Sequence, residues 1–187
     1  MADELVHVGR ATESENIWRA QIVFLASAID FYMHELTKYG LCEIFDEKWE
    51  RTEKYANLQV KMDVIEIALK SREDIDWFLE YINSYYQAIT MVSFDSIKEQ
   101  LNLLGIDLTM VADKAFYQRD GCKKTKDKLK RRLNELFGRR NIIAHQTDRE
   151  HTNAQIKNIT KEIVQDFIID VEKIVHSINE AAKNKRQ

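Results

Sequence analysis

Between Gly138 and His145 the chain reads Gly-Arg-Arg-Asn-Ile-Ile-Ala-His. His145 carries the one side chain of this segment that exchanges protons near neutrality. Arg140 offers a permanently charged fork matched to two oxygens of a phosphate, and Asn141 supplies an amide able to orient either the imidazole or the anion. Asn141 and His145 stand four apart and share a helical face, whereas Arg140, five before His145, lies about 140° from it on a regular helix. Arg140 and His145 converge only if Arg140 falls at a turn after Gly138 or in an irregular first winding. The glycine suits such a break, and Ile142, Ile143 and Ala144 are expected to anchor the segment to the core.

Other chemistry-bearing residues are fewer. Lys123, Lys124, Lys126, Lys128, Lys130, Arg131 and Arg132 run directly into the segment. Next to it they can guide a phosphate backbone, and elsewhere they would be read as a solvated face. Asp30 and His34 sit four apart among apolar neighbours with Glu35 beside them, either as a hydrogen-bonded polar pair in the bundle or as support behind Arg140 and His145. His34-Glu35-Leu36-Thr37-Lys38 begins like a zinc-protease helix, but Lys38 replaces the second histidine, so no metal is expected. Cys42 and Cys122 lack a CxxC partner, which leaves neither a disulfide scaffold nor a thiolate zinc site.

The elements that position these residues follow from composition and periodicity. With 187 residues, 44% apolar, no proline and five glycines, the chain is long enough for one core and poor in turn formers. Residues 1–117 carry 11 Lys+Arg against 21 Asp+Glu, a balance of −10; residues 118–187 carry 17 against 10, a balance of +7. The basic third suits a polyanion, or an acidic patch on the protein or a partner. No run approaches the ~18 apolar residues of a bilayer crossing, and MADELVHVGR lacks the features of a signal peptide. A cytoplasmic protein without a membrane partner is expected.

Thr12-Glu-Ser-Glu15 spells a capping box, and Trp18, Ile22, Leu25, Ile29, Tyr32 and Leu36 continue as one helical stripe. Ile17, Phe24, Ala28 and Phe31 form a second flank, so this helix is expected to be buried on more than one side and to end at Gly40. Glu43 to Ala56 reads as loop or irregular helix. Val60 to Ala68 gives a second helix, and Ser71 with Asp74 caps a third through Phe78, Ile82 and Tyr86. Phe94 to Leu104 is a fourth, stopped by Gly105 in a left-handed cap, with a short helix over Leu108 to Tyr117. A lysine-rich helix through Leu129, Leu133 and Leu136 meets Gly138. Thr152 with Gln155 caps the last helix, whose stripe runs from Ile156 to Ile178. The pattern predicts an all-α, single-domain bundle of five or six helices over 1–187, core about 14–178, with frayed ends that include Ala181 to Gln187.

Arg140-Asn141-Ile142-Ile143-Ala144-His145 matches the R-x4-H motif of the HEPN domains, in its usual spelling with Asn after the Arg. The helix from Arg19 through Asp30, His34 and Glu35 to Leu36 resembles the opening helix of the RiboL-PSP branch of that family, and the resemblance covers about Ser14 to Ile178. It implies an all-helical, metal-independent endoribonuclease that needs no cofactor. Arg140, Asn141 and His145 would be catalytic; Arg139, Lys128, Arg131 and Arg132 would bind RNA; Asp30, His34 and Glu35 would lie behind them. One imidazole cannot serve both sides of an in-line displacement, so a homodimer with a composite site is expected, in a toxin or antiphage setting with a cognate antitoxin or regulatory protein as partner. Thr147 stands where an R-x4-H-x-Y variant has tyrosine, so regulation through that tyrosine is not expected. Two alternatives remain: a catalytically silent HEPN module that binds nucleotide, RNA or a partner protein, and a helical scaffold in which Arg140 pairs with Asp30 or Glu35.

Overall fold

In the computed structural model the described residues are 2–70, 76–117, 124–149 and 155–186. Among them are nine α-helices and no strand: α1 (Ala2–His7), α2 (Ala11–Phe45), α3 (Glu53–Ala56), α4 (Met62–Lys70), α5 (Trp77–Tyr86), α6 (Phe94–Leu103), α7 (Leu108–Phe116), α8 (Thr125–Gln146) and α9 (Lys161–Lys183), then a 3-10 turn at Asn184–Arg186. The all-α expectation holds, but the chain is cut into more pieces than five or six. None of these helices is long and apolar enough to cross a membrane.

The axis of the bundle is α2, which runs about 50 Å and packs on α5, α6, α8 and α9. Its inward row is Ile22, Ala26, Ile29, Met33, Leu36 and Leu41, all buried. That spacing of three and four points one stripe at the neighbouring helices. The second flank is not buried: Phe24 and Phe31 are 74% and 65% exposed. Gly40 does not end the helix either. A Cβ there would stand 2.7 Å from Leu104 Cδ2 and 2.8 Å from Trp49 Cζ3, so this glycine marks close packing. Trp49, in the stretch expected to be irregular, is 3% exposed and meets Tyr39 edge-on.

The remaining boundaries follow local hydrogen bonding. Ser71 and Asp74 lie outside the described residues; α5 is capped by Asp76, whose Oδ1 accepts from the Leu79 N–H at 3.1 Å. Gly105 takes the left-handed conformation at φ 68°, as its position after α6 requires. Cys122 and Thr152 also lie outside the described residues. The last helix begins later than the apolar stripe suggested, because Thr160 Oγ1 accepts from the Ile163 N–H and defines its start. Ile156 sits instead in an isolated antiparallel bridge with Arg149. The C-terminal segment, expected to fray, continues as helix to Lys183, and Lys185 Nζ donates to the Gly105 carbonyl at 3.1 Å. Together α7, α8 and α9 pack on one another beside α2, with Leu129, Leu133 and Leu136 of α8 sealed in the core.

Candidate active site at the end of the eighth helix

Gly138 does not break α8, which continues as regular helix through Gln146. The irregular winding expected there is absent. Arg140 and His145 therefore leave the axis about 140° apart, while Asn141 and His145 are about 40° apart. The link between the two sides is Asn141: Arg140 Nη1 donates to its Oδ1 at 3.0 Å. Arg140 and Asn141 are half-buried and His145 is exposed. Among the described residues no carboxylate pairs with Arg140. Of the expected apolar anchors, Ile143 packs against the core, Ile142 is half-buried and Ala144 is exposed.

What fixes this helix end is an arrangement that residue spacing did not reveal. Thr147 and Asp148 both take positive φ, 49° and 61°, a region costly for a β-branched threonine. The amides of both return to the Ile142 carbonyl, turning the chain sharply away from α8. Asp148 then enters the interior with no solvent exposure. One of its oxygens, Oδ2, accepts from Arg19 Nε at 2.9 Å and from Arg139 Nη2 at 2.7 Å. Arg139 Nη2 also donates to the Asn158 carbonyl at 2.9 Å, and Arg19 Nη2 to Glu15 at 3.1 Å and to the Lys157 carbonyl at 3.2 Å. The Lys157 amide donates to the Asp148 carbonyl at 2.8 Å. The strained turn, α2 and the approach to α9 are thus tied at one carboxylate, three residues beyond His145. Burial pulls the Arg139 guanidinium below its usual value; Asp148 opposes that pull and Arg19 adds to it.

Several expected site residues are committed to other tasks. Arg139, placed among the RNA contacts by its position in the motif, is turned inward onto Asp148. Arg132 ties α8 to α9 through Asp170, pairs with Glu135 at 2.7 Å and lies 4.6 Å over the Phe167 ring. Burial opposes its charge, but the hydrogen bonds to Asp170 and Glu135 win and raise its pKa. Lys128 Nζ lies 5.0 Å over Phe116. Arg131 remains outward, 66% exposed, with Glu135 at 3.8 Å. Lys123 is outside the described residues.

Asp30, His34 and Glu35 are not behind the motif. Asp30 lies about 16 Å along α2 from Arg19. Its Oδ1 accepts from the Met91 amide, His34 Nε2 bonds the Ile89 carbonyl at 2.8 Å, and Glu35 pairs with Lys38. Asp30 and His34 fasten α2 to the segment after α5 while Glu35 stays within α2, so among the described residues neither a supporting role nor a pairing of Arg140 with Asp30 or Glu35 is found. Arg19 and Asp148, which sequence reasoning missed, do stand beside the motif. The available signal was a charge three residues before Ile22 on the buried row of α2.

Among the described residues no group of three or more His, Cys, Asp or Glu could hold a metal ion. The groups at this helix end able to meet an anion are thus an exposed imidazole, an amide on nearly the same face, and, about 140° around the helix, a guanidinium that no carboxylate of the described residues pairs. No curated protein and no solved structure matches the chain. The family model described as RiboL-PSP-HEPN matches residues 3–184, and over that span the chain belongs to the RiboL-PSP-HEPN family.

Proposed function

We propose that the protein is a HEPN-type endoribonuclease that cleaves RNA through attack of a ribose 2′-hydroxyl on its own phosphodiester. The observation that carries this reading is the Arg140–Asn141 bond beside an exposed His145 on a helix end held by Asp148. The 2′-oxygen forms a bond to phosphorus and the bond to the 5′-oxygen breaks, leaving a 2′,3′-cyclic phosphate and a 5′-hydroxyl. His145 takes or gives a proton, which is typically worth ~10²–10⁴-fold, and Arg140 stabilises charge on the phosphorane. Asn141 orients the Arg140 fork. The scheme uses no metal and no cofactor.

Each protomer supplies one imidazole to a reaction that needs both an acid and a base, so a homodimer with two copies of Arg140 and His145 around one cleft completes the site. The setting that fits the family is a toxin or antiphage component, restrained in a cytoplasm by an antitoxin or regulatory protein.

A second reading is favoured by the regular α8: the 140° between Arg140 and His145 suits a catalytically silent module that holds RNA, nucleotide or a partner protein. Incubation with RNA in EDTA, beside an Arg140→Ala, His145→Ala double variant, separates the two. Cleavage with cyclic phosphate ends by the parent alone is the expected result. Equal cleavage by the double variant overturns the proposal, and retention of uncut RNA that weakens steeply with salt selects the silent module.

A further inference from the structure

Gly138 has an ordinary helical backbone in the interior of α8, where glycine weakens a helix relative to alanine. A Cβ built on it meets nothing within 4 Å. Neither a turn nor internal packing calls for glycine here, in contrast to Gly40. The space over Gly138 opens into a notch of about 360 Å³ between α8 and the start of α9, walled by Ile142, Ile163 and Phe167, with Lys157, Arg139 and Glu135 at its edge, the last of these neutralised by Arg131 and Arg132.

At 100° per residue, Gly138 lies about 20° from His145 and about 60° from Asn141 around α8, two turns toward its N-terminus. Arg131, two turns further back, is again within about 20°. One exposed ridge of α8 therefore carries a cation, a notch with apolar walls and the imidazole, in that order. The ridge belongs to the third of the chain whose balance is +7, which suits a polyanion, and the polyanion that the ribonuclease reading supplies is RNA.

We propose that the Gly138 notch is a subsite for one base of a single-stranded RNA whose backbone follows this ridge past Arg131 toward Asn141 and His145. The missing Cβ lets a flat base come against the helix backbone, and Ile142 and Ile163 give it apolar contact. The proposal rests on the ribonuclease reading of the same ridge.

The test uses full-length protein carrying His145→Ala, so that RNA survives, and compares it with added Gly138→Ala or Gly138→Leu by anisotropy of a labelled single-stranded RNA. Gly138→Ala is expected to raise Tm by about 2–4 °C while weakening RNA retention. Gly138→Leu is expected to weaken retention roughly 10-fold or more, the scale of one lost base contact. Retention by both variants within about twofold of their parent overturns the subsite. So does a loss that occurs only together with a change in assembled mass, which assigns the notch to a second copy of the chain.

The two readings fail separately. A protein with His145 intact that retains RNA without cutting it removes the ribonuclease and leaves the subsite. RNA cutting joined to unchanged retention by Gly138→Leu removes the subsite and leaves the ribonuclease, and a parent that retains no RNA removes both.

Discussion

Arg139, immediately before Arg140 in sequence, donates to Asp148 at 2.7 Å on the far side of the helix end. Its neighbour Arg140 turns outward to Asn141. Adjacent residues on a helix differ by 100° in direction, so one of two consecutive arginines is placed to tie the fold and the other to face solvent. The inward one shares a single carboxylate oxygen with Arg19.

Removal of that carboxylate leaves two guanidinia facing each other in a site from which water is largely excluded. Asp148→Ala is expected to lower unfolding free energy by about 3–5 kcal/mol, as when one partner of a buried pair is lost, whereas Asp148→Asn keeps an acceptor and loses less. Urea titration of both variants measures the difference. A loss below ~1 kcal/mol for the alanine variant, the scale of an exposed pair, would show that Asp148 does not hold the helix end.

Gly40 and Gly138 are expected to respond in opposite directions to the same change. Gly40→Ala places a methyl group 2.7 Å from Leu104 and 2.8 Å from Trp49; overpacking of this kind costs roughly 1–3 kcal/mol. Gly138→Ala meets open space and gains about 1 kcal/mol of helix propensity. Thermal unfolding of the two single variants checks the pair, and a stabilised Gly40→Ala would remove the packing argument for α2.

These two glycines also mark how much of the molecule was legible in the sequence. Period and composition were enough for the helical class, for Ile22, Ile29 and Leu36 of the inward row of α2 and for the Gly105 cap, because each depends on local spacing alone, whereas Ala26, Met33 and Leu41 complete that row where Trp18, Leu25 and Tyr32 were expected. Both glycines read as helix breakers. Whether glycine ends a helix or serves a close contact is decided by what lies across from it, and Leu104 is 64 positions away from Gly40 in the sequence. The candidate site divides the same way. Arg140, Asn141 and His145 were found by type and spacing. Arg19 and Asp148 are 129 residues apart and meet only after α2 and α8 pack. Asp30, His34 and Glu35 admitted two readings, a hydrogen-bonded polar pair in the bundle or support for the motif, because helix spacing shows which residues share a face, not which neighbour that face meets.

Arg140→Lys keeps the charge but loses the planar fork that reaches both Asn141 and a phosphate. On the ribonuclease proposal, kcat/KM for RNA is expected to fall about 10- to 100-fold, with less effect on RNA retention. His145→Ala is expected to lose ~10²–10⁴-fold in kcat at unchanged retention. Single-turnover cleavage beside a filter-binding titration separates the two effects. An Arg140→Lys protein that cuts as fast as its parent would reduce Arg140 to a general cation.

Alkaline pH tests the packing of α2 without recourse to activity. The Tyr32 hydroxyl is buried with no hydrogen-bond partner among the described residues, and burial pushes its pKa from the ordinary 10.0 up to about 12. Tyr86 is raised as well, first by burial and then by Tyr85 and Tyr81. Below pH 10 the phenol keeps its proton in both folded and unfolded chains, so stability does not depend on it. Between about pH 10 and 12 the unfolded chain ionises while the folded one does not, and stability falls as pH rises. The slope stays below the ~1.4 kcal/mol per pH unit of a fully shifted group, because solvent reaches part of the side chain and screens it. Tyr32→Phe removes a hydroxyl without a partner, so at neutral pH it is expected to be neutral or to stabilise by up to ~1 kcal/mol. It should also flatten the alkaline slope, leaving the share that belongs to Tyr86 and to Tyr55 and Tyr81, which burial raises too. Urea midpoints of parent and variant between pH 8 and 12 are the measurement, and parallel curves across that range would mean that the Tyr32 hydroxyl is hydrated after all.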